Sequence, residues 1–268
     1  MSATTTTEGT TDPTTHPTTD DGRVVVITGA GRGLGRSAAE HLLRRGARVV
    51  GTYRSDEAAA SSLVGAYGED RVAVLKLDVT RTEDYPAFVE AVRGAVGAWG
   101  RERVDALVNN AGTGLHEAFA DTTVEQFDAM VAVHLRPPYF LTQAFLPLLA
   151  DGGRVLNVSS GLARFTFPGS SAYAIMKAGV EALSRYQAVE LGGRGIRVNT
   201  VVPGAIATDF SGGMVRDNAA VQEQVAQTIA LGRVGVADDI GAAVALLLED
   251  GFGWANGTRI ELSGGQVL

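Results

Sequence analysis

The sequence of 268 residues has no cysteine, no excess of basic charge and no long apolar run. Without cysteine there are no disulfide bonds and no thiolate chemistry, which fits a reducing cytoplasm. The formal net charge is −7 and the pI about 5.2, whereas non-specific binding of nucleic acid needs a basic face. The longest apolar run, near residues 242–248, is well short of the roughly 20 residues of a membrane-spanning helix. We therefore expect neither nucleic acid nor a membrane among the partners.

The first 22 residues, MSATTTTEGTTDPTTHPTTDDG, differ in composition from the rest of the chain. They are mostly threonine, and they bury too little apolar surface to offset the entropy of ordering, so we predict a disordered tail over residues 1–22. The tail has neither a basic start nor an apolar central region, which argues against a secretory signal. Hydrophobic residues make up 45% of the chain, enough for one folded domain over residues 23–268.

Short β-branched runs alternate with segments of helical periodicity from Arg23 onward. The runs RVVVITG, ARVVGTY, RVAVLKLDV, VDALVNNAG, GRVLNVSS, IRVNTVVPG and GTRIELSGG predict strands. Helices are predicted near residues 33–46, 56–67, 82–99, 130–149, 171–192 and 237–249, with a less regular segment over 205–229. Continuous apolar strands between helices indicate a parallel sheet covered on both faces. The sequence predicts a single α/β domain with a Rossmann-like, doubly wound parallel sheet of about seven strands.

A glycine-rich loop, TGAGRGLG, follows the first predicted strand and leads directly into a helix. Gly29, Gly33 and Gly35 let the backbone approach a pyrophosphate, and the helix N-terminus offers N–H groups and a positive dipole. A glycine-rich turn without a ligand is the alternative, but the order of strand, loop and helix favours a dinucleotide site that also includes Leu34. No G-K-[ST] follows, which excludes a Walker phosphate loop.

The end of the second strand indicates which dinucleotide the loop holds. Enzymes that prefer NAD usually carry an acidic residue there, which accepts a hydrogen bond from the ribose 2′-hydroxyl. Here the strand ends in Thr52-Tyr53-Arg54, and Arg32 lies inside the glycine loop. Two guanidinium groups suit a 2′-phosphate, so we favour NADP(H) over NAD. A solvated surface charge is the alternative for Arg54.

The stretch SAYAIMKAG places Tyr173 and Lys177 four residues apart, on one face of a predicted helix. Tyrosine has an ordinary pKa near 10, and a neighbouring ammonium group favours the phenolate and lowers that pKa. Ser160 lies at the carboxyl end of the strand VLNVSS, where its hydroxyl can donate to a substrate carbonyl oxygen. A tyrosine and a lysine at this spacing are also compatible with a surface pair, so the context decides.

Six motifs in this order resemble the short-chain dehydrogenase/reductase family over roughly residues 22–268. They are TGAGRGLG, LDV, NNAG, NVSS, YAIMK and VVPGAIATDF. The resemblance implies that Tyr173 is the general acid that protonates the reduced oxygen. It further implies that Lys177 lowers the pKa of this tyrosine and holds the nicotinamide ribose, and that Ser160 orients the substrate oxygen.

The same resemblance implies further cofactor contacts. Asp78 contacts the adenine amino group, with Val79 beside the ring, and Asn110 and Gly112 shape the floor of the cleft. Pro203, Gly204 and Thr208 border the nicotinamide and its phosphate. Residues 205–229 correspond to the family's substrate lid, which closes over the bound pair. For Asn110, a cap or turn after the strand is the alternative.

The YAIMK spacing favours carbonyl chemistry, because enoyl reductases of this superfamily have a wider gap between tyrosine and lysine. We therefore expect interconversion of a ketone and a secondary alcohol, in the reductive direction with NADPH and without a metal. Apolar residues predict a pocket for a hydrophobic, polycyclic or acyl substrate, namely Leu162, Phe165, Phe167, Phe210 and Met214. Packing of the lid or of a subunit contact is the alternative role for them.

Similarity to 3-oxoacyl carrier-protein reductases offers a second substrate class. Reductases that serve an acidic carrier protein tend to have a basic patch beside the cleft, whereas LPLLADGG offers Asp151 and no base before Arg154. We therefore favour a free ketone. A non-catalytic NADP-binding protein is a third alternative, although such relatives usually lose the tyrosine or the lysine. The family is mostly tetrameric, which predicts a homotetramer, with a dimer as the second choice.

The stretch MVAVHLRPPYFLTQAFLPLL, residues 130–149, places His134 just before two prolines in a predicted helix. Pro137 and Pro138 lack an N–H, so the carbonyls of Val133 and His134 lose their helical partners and we expect a kink. The resemblance implies an asparagine here, which helps hold a water that links Lys177 to solvent. We predict that His134 takes this role as a fourth catalytic residue and charges near pH 6.5. A histidine bonded to a backbone carbonyl is the alternative.

Overall fold

The computed structural model describes residues 22–268. The predicted tail over residues 1–22 lies outside this range apart from Gly22. Within residues 22–268, no helix combines the length and the apolar character needed to cross a membrane.

A seven-stranded parallel sheet with the order β3-β2-β1-β4-β5-β6-β7 forms the centre of the fold. The strands are β1 (Val24–Ile27), β2 (Arg48–Tyr53), β3 (Val72–Lys76), β4 (Val104–Asn109), β5 (Leu149–Val158), β6 (Arg197–Pro203) and β7 (Arg259–Leu262). All four residues of β1 are fully buried, as expected for a β-branched strand with helices on both faces. The predicted doubly wound sheet is confirmed.

Helices cover both faces of this sheet. They are α1 (Gly33–Arg44), α2 (Glu57–Tyr67), α3 (Tyr85–Ala98), α4 (Val124–Met130), α5 (Arg136–Phe145), α6 (Ser171–Glu190), α7 (Met214–Asp217), α8 (Ala219–Ala226) and α9 (Ala237–Leu247). The core on one face includes Leu42 of α1, Leu63 of α2 and Val244 of α9. The core on the other face includes Phe88 of α3 and Phe145 of α5, whose rings meet edge to face at 5.9 Å.

The predicted helix over residues 130–149 contains the expected irregularity, since a π-helical turn, Val131–Leu135, separates α4 from α5. Pro137 and Pro138 lie in the first turn of α5, where a missing N–H costs no helical hydrogen bond. The widened turn carries His134 and turns it into the protein, where its side chain is buried.

Both ends of this helical region differ from the sequence prediction. The helix begins earlier, at α4, because Thr123 and Gln126 form a capping box at its N-terminus. It ends at Phe145, and the following residues enter β5, where Leu149 pairs with Val104 of β4. An apolar run such as LPLL has no helical or strand period of its own, so its tertiary partner decides its conformation.

The strand order reverses between β1 and β4, and the carboxyl ends of β1, β4, β5 and β6 meet on that side of the sheet. The residues that follow these strands are Thr28, Asn110, Ser159 and Gly204. Open parallel sheets bind their ligands at such a crevice. The fold therefore collects the segments TGAGRGLG, NNAG, NVSS and VVPG at one place.

Candidate active site

The side chains of Thr28 and Asn110 hold the glycine loop in place. The Thr28 hydroxyl accepts hydrogen bonds from the N–H groups of Asn110 and Ala111, both at 2.9 Å. The Asn110 amide donates back to the carbonyls of Thr28 at 2.9 Å and Gly29 at 3.2 Å. Gly29 has a φ of 72°, and a Cβ on Gly35 would collide with the Gly29 carbonyl oxygen. Asn110 thus shapes the cleft through the loop backbone.

The first turn of α1 keeps its N–H groups available for an anion. Arg32 occupies the N-cap position without a capping hydrogen bond from its side chain, and no acidic residue lies in the first turn. Gly33 has a φ of 56°, and a Cβ there would lie 3.8 Å from the Cβ of Thr208. Leu34 packs against the core beneath the loop. This arrangement fits the pyrophosphate of a dinucleotide.

The carboxylate of Asp78, just beyond β3, stays charged in its partly buried position. Burial by itself would raise the pKa of Asp78, but hydrogen bonds from Thr80 and the charges of Arg54 and Arg81 lower it below its ordinary value. The Thr80 N–H and hydroxyl donate to the carboxylate at 3.0 and 2.7 Å. Arg54 is exposed at the end of β2, and Val79 is buried next to Asp78. The adenine contact of Asp78 stays a prediction, which a charged acceptor suits.

The predicted residues Ser160, Tyr173 and Lys177 lie together beyond the carboxyl end of β5. Tyr173 and Lys177 occupy the first two turns of α6 and are 8% and 5% exposed. The hydroxyl groups of Tyr173 and Ser160 are hydrogen-bonded. The Lys177 Nζ donates to the Val158 carbonyl at 2.8 Å and lies 5.5 Å from the centre of the Tyr173 ring.

Burial controls the ionisation of these two groups. It raises the pKa of Tyr173 well above its ordinary value, and the hydrogen bond with Ser160 offsets only part of this rise. It also lowers the pKa of Lys177 to about 7. In the free protein the pKa of Tyr173 is raised on balance, because the charged forms of both groups lose hydration on burial, and the lowering of this pKa by Lys177 stays a prediction. Tyr173 stays protonated, as a proton donor requires.

His134 is 1% exposed and meets Tyr173 edge to face, with 5.1 Å between the ring centres. Its Nε2 lies 2.7 Å from the Thr113 carbonyl oxygen and 3.4 Å from the Thr113 nitrogen, and the shorter contact favours a proton on Nε2 that is donated to the carbonyl. Its Nδ1 is then a buried acceptor that has no hydrogen-bond partner within residues 22–268. One ring nitrogen is thus bonded to a backbone carbonyl, as in the alternative given above, and the other is left with an open lone pair.

The expectation that His134 charges near pH 6.5 is wrong. Burial and the charge of Lys177 together lower the pKa of His134 to about 3, and the hydrogen bond to Thr113 opposes this only in part. An imidazolium at this place would lose its hydration and face an ammonium group. His134 is therefore neutral at physiological pH and, like an asparagine, can contribute only hydrogen bonds.

Three further residues predicted to border the cofactor lie around the same crevice. Gly112 passes under the His134 ring so closely that a Cβ there would lie 2.9 Å from the imidazole Cε1. Pro203 ends β6, and Gly204 follows it against Ser263, whose Cα would lie 2.8 Å from a Cβ on Gly204. The close approach of backbone at Gly112 and Gly204 explains the glycine at each position.

Two of the predicted substrate residues reach Tyr173. The Phe210 ring centre lies 5.8 Å from that of Tyr173, and Leu162 packs against the apolar cluster that contains Tyr173. Phe210 and Met214 are 43% and 48% exposed on the segment over residues 205–229. The loop after β4 faces them, since a Cβ on Gly114 would lie 3.2 Å from the Phe210 ring. The apolar wall beside the tyrosine is therefore built from both segments.

Phe165 and Phe167 lie further from this wall. The Phe165 ring packs on Gly161 and under the guanidinium of Arg164, 5.4 Å from the ring centre. Phe167 is 58% exposed, and its ring centre lies 6.1 Å from that of His116. Substrate contact by these two phenylalanines stays a prediction.

Sequence reasoning did not single out the loop over residues 113–116 or the side chain of Thr28. Thr113 supplies the carbonyl that fixes the His134 tautomer, and Leu115 packs in the cluster around Tyr173. The only feature of the sequence that could have pointed to Thr113 and Leu115 is their position directly after NNAG. Thr28 was within the quoted glycine motif, but its role depends on β4 lying beside β1. Within residues 22–268, no cluster of three acidic or histidine side chains is placed to bind a metal ion.

Comparison with known proteins connects this geometry to one family. A family model described as Enoyl-(Acyl carrier protein) reductase matches residues 29–266. The 3-oxoacyl-[acyl-carrier-protein] reductase FabG of Haemophilus influenzae is 34% identical over 249 residues, which cover 92% of this chain and 99% of FabG.

Two similar solved structures are ketone reductases by their descriptions. The promiscuous reductase LugOII, which catalyses keto-reduction at C1 during lugdunomycin biosynthesis, superposes with a TM-score of 0.86 at 36% identity, covering 92% of this chain and 98% of LugOII. The angucycline C-6 ketoreductase LanV with bound NADP gives 0.85 at 33% identity, covering 91% of this chain and 95% of LanV. The chain belongs to the short-chain dehydrogenase/reductase family of oxidoreductases.

The lowered pKa of Lys177 predicts that the stability of the free protein depends on pH. The unfolded chain keeps this proton up to the ordinary lysine pKa, 10.5, whereas the folded chain releases it near pH 7. The unfolded state therefore binds more protons in between, and stability rises with pH through this window. In the parent protein, the free energy of unfolding should contain a rise of roughly 1 kcal/mol per pH unit between about pH 7 and pH 9 that comes from Lys177. Lys177→Met removes the titrating group, so this contribution to the pH dependence should be absent from the variant.

Urea denaturation at several pH values measures this difference. Lys76→Met, which removes the chain's only other lysine at the exposed end of β3, is the matched control and should keep the parent's slope. Parallel curves for the parent and Lys177→Met would contradict a buried lysine that deprotonates near neutrality.

Proposed function

We propose that this protein is an NADPH-dependent carbonyl reductase that converts a ketone into a secondary alcohol. The observation that carries the proposal is the buried, protonated Tyr173 at the start of α6, hydrogen-bonded to Ser160 just beyond the carboxyl end of β5. Reduction of a carbonyl needs a proton donor next to the oxygen, and a second donor to hold that oxygen in place. The three-residue gap in YAIMK and the keto-reductions named for LugOII and LanV support a C=O bond as the substrate.

In the proposed mechanism, bound NADPH supplies a hydride to the carbonyl carbon. Ser160 donates a hydrogen bond that positions the carbonyl oxygen, and Tyr173 gives its hydroxyl proton to that oxygen as negative charge develops. The raised pKa of Tyr173 suits this direction, because the phenol holds its proton until the stronger base forms. The neighbouring Phe210 and Leu162 keep water away from the reacting oxygen.

Replacement of the tyrosine proton depends on Lys177 and His134 in this proposal. The pKa of Lys177 is about 7, so its ammonium group can give up a proton near neutral pH with little free-energy cost. In the proposal this proton replaces the one that Tyr173 has donated. The open lone pair on His134 Nδ1 holds a water between Lys177 and solvent, and the bond from Nε2 to the Thr113 carbonyl fixes the orientation of the ring.

The cofactor choice depends on the charges at the end of β2. Arg54, just after β2, and Arg32, in the glycine loop, are both exposed, and no acid ends β2. The NADP bound to LanV supports the same choice. We propose that Arg54 and Arg32 bind the 2′-phosphate of NADPH. NADH has no such phosphate, so with NADH bound the two guanidinium groups would have no anion to pair with, which disfavours it.

A hydrophobic free ketone is the proposed substrate. The pocket wall formed by Leu162, Phe210 and Met214 is apolar. A carrier-bound 3-oxoacyl group is the second candidate, since FabG is among the relatives. Arg194, a guanidinium near the expected docking face, is held by Asp151 at 2.7 Å and by backbone carbonyls, which leaves little positive charge for an acidic carrier protein.

A non-catalytic NADP-binding protein is the third candidate, and retention of the buried Tyr173, Lys177 and Ser160 argues against it. A protein that only senses the cofactor gains nothing from a dry proton donor, which costs desolvation free energy.

We also propose a homotetramer, with a dimer as the second choice. Aromatic and aliphatic side chains are exposed along α5 and α6, the helices that pair between subunits in the family: Tyr139, Phe140, Ile175, Tyr186 and Val189. A second copy of the chain would cover this apolar surface.

Tyr173→Phe tests the proposed reaction. The variant removes the donated proton and keeps the ring, so turnover of ketones should fall by about 100-fold or more while the dissociation constant for NADPH stays within about threefold. NADPH oxidation with a panel of ketones such as acetophenone, and NADPH fluorescence titration, measure the two effects. Unchanged turnover would contradict Tyr173 as the acid, and faster turnover of an acetoacetyl group on carrier protein than of any free ketone would favour the second candidate.

Arg54→Ala tests the cofactor assignment. Loss of one guanidinium should raise the KM for NADPH by about tenfold and leave the KM for NADH within about twofold, because only NADPH carries the 2′-phosphate. Arg44→Ala, at the opposite end of α1 and 51% exposed, is the matched control and should change neither value. If the parent enzyme uses NADH as well as NADPH, the assignment is wrong.

Substitutions of His134 test the proton relay. His134→Asn keeps a neutral hydrogen-bonding side chain and should retain substantial turnover, whereas His134→Ala should lose about tenfold or more in kcat. Because the pKa of His134 is about 3, the pH profile of kcat/KM should show no step from this residue between about pH 5 and pH 8. An alanine variant with the parent's kcat would exclude the relay.

A further inference from the structure

Gln266, near the C-terminus, is a buried side chain with both ends of its amide engaged. It is 7% exposed. Its Oε1 accepts a hydrogen bond from the Ala205 N–H at 3.0 Å, and its Nε2 donates to the Thr228 hydroxyl at 3.3 Å. The Thr228 hydroxyl itself donates to the Val225 carbonyl at 2.7 Å, so it has a lone pair for the Gln266 amide. This donor pattern fixes the orientation of the amide.

The two partners of the amide lie at opposite ends of one functional segment. Ala205 begins the segment over residues 205–229 and Thr228 lies at its close, with Phe210 and Met214 between them. Backbone pairing joins the C-terminus to the same end, since the Val267 N–H donates to the Thr228 carbonyl at 2.9 Å. One side chain therefore bridges the first and last turns of the segment that faces Tyr173.

The position of Gln266 is itself constrained on three sides. Gly264 and Gly265 have φ values of 64° and 78° and turn the chain back towards β6. A Cβ on Gly204 would lie 2.9 Å from the Gln266 Oε1, so the glycine lets the amide approach the backbone. The Gln266 carbonyl accepts from the Arg164 guanidinium at 2.7 Å, which ties it to the loop after Ser160.

We propose that Gln266 is a positioning residue that fixes both ends of the segment over residues 205–229 and so sets how that segment closes over the substrate. It acts through Ala205 and Thr228 and does not touch the reacting atoms. The substrate-covering role of the segment rests on the function proposed above, whereas the hold on its ends does not. A segment with anchored ends loses less conformational entropy when it closes on a ligand.

Gln266→Met tests this role, because methionine has a similar length and no amide. Amide hydrogen exchange over residues 205–229 should become about tenfold faster, while exchange in β1, β4 and β5 stays at the parent's rate. With acetophenone or another ketone that the parent reduces, KM should rise by about tenfold and kcat should change by less than about threefold. Gln266→Glu keeps an acceptor for the Ala205 N–H but has no N–H to donate to Thr228, so it should restore only part of both effects.

Gln187→Met is the matched control. Gln187 is also buried, at 9% exposure, and its amide donates to Pro138 and accepts from Asn157 at 2.9 and 3.0 Å, away from the segment. Its loss should leave exchange over residues 205–229 unchanged. If Gln266→Met does not fold, Thr228→Val removes one of the two bonds at an exposed position and should accelerate exchange in the same segment to a smaller extent.

Parent-like exchange over residues 205–229 in a folded Gln266→Met would overturn the proposal, as would an equal acceleration in the strands or an unchanged ketone KM. The exchange measurement needs no substrate. An inactive parent enzyme would therefore refute the proposed reductase, while the exchange pattern would still decide whether Gln266 anchors the segment.

Discussion

The burial of Tyr173 and Lys177 beside the carboxyl edge of β5 is the constraint around which this site is organised. Both groups lose water there, and both consequently favour their neutral forms. In the proposed reaction, the protonated phenol of Tyr173 is the proton donor and Lys177, with a pKa of about 7, supplies the replacement proton. The same loss of hydration keeps His134 neutral, so the proposal assigns it hydrogen bonds alone.

This pocket depends on close backbone approaches that only glycine permits. Gly35 passes against the Gly29 carbonyl, Gly112 passes under the His134 ring, and Gly204 lies against Ser263. Each contact brings a different strand end towards the crevice, and the hydrogen bonds of Thr28 and Asn110 join two of those ends. The glycine loop, Gly112 and the His134 ring that packs on Tyr173 are thus parts of one packed edge of the sheet.

The segment over residues 205–229 is less buried than Tyr173, Lys177 and His134. Phe210 and Met214 are almost half exposed, and the contacts that hold the segment come largely from its ends. Such a division is useful in a reductase, because the proton donor needs a rigid setting and the substrate needs a way in and out. Gln266 connects the exposed segment with the buried site, since its side chain bonds to the segment and its carbonyl accepts from Arg164 in the loop after Ser160.

The sequence was sufficient for the strands, the doubly wound order and the set Ser160, Tyr173 and Lys177, because β-branched runs and motif spacing are local signals. It also placed the irregularity around His134, since a proline removes a donor wherever it stands. The prediction that the following helix continues to residue 149 was wrong, because the helix ends at Phe145 and Leu149 pairs with Val104 as part of β5.

The ionisation of the site was decided by tertiary structure alone. From sequence, a lysine near a tyrosine lowers its pKa and a histidine charges near pH 6.5. In the folded protein, burial raises the pKa of Tyr173 on balance and lowers the pKa of His134 far below 6.5. Spacing tells which side chains share a helix face, but the hydration they lose depends on everything packed around them. Gln266 illustrates the same limit, because its two partners are distant in sequence and meet only where the C-terminus folds back beside β6.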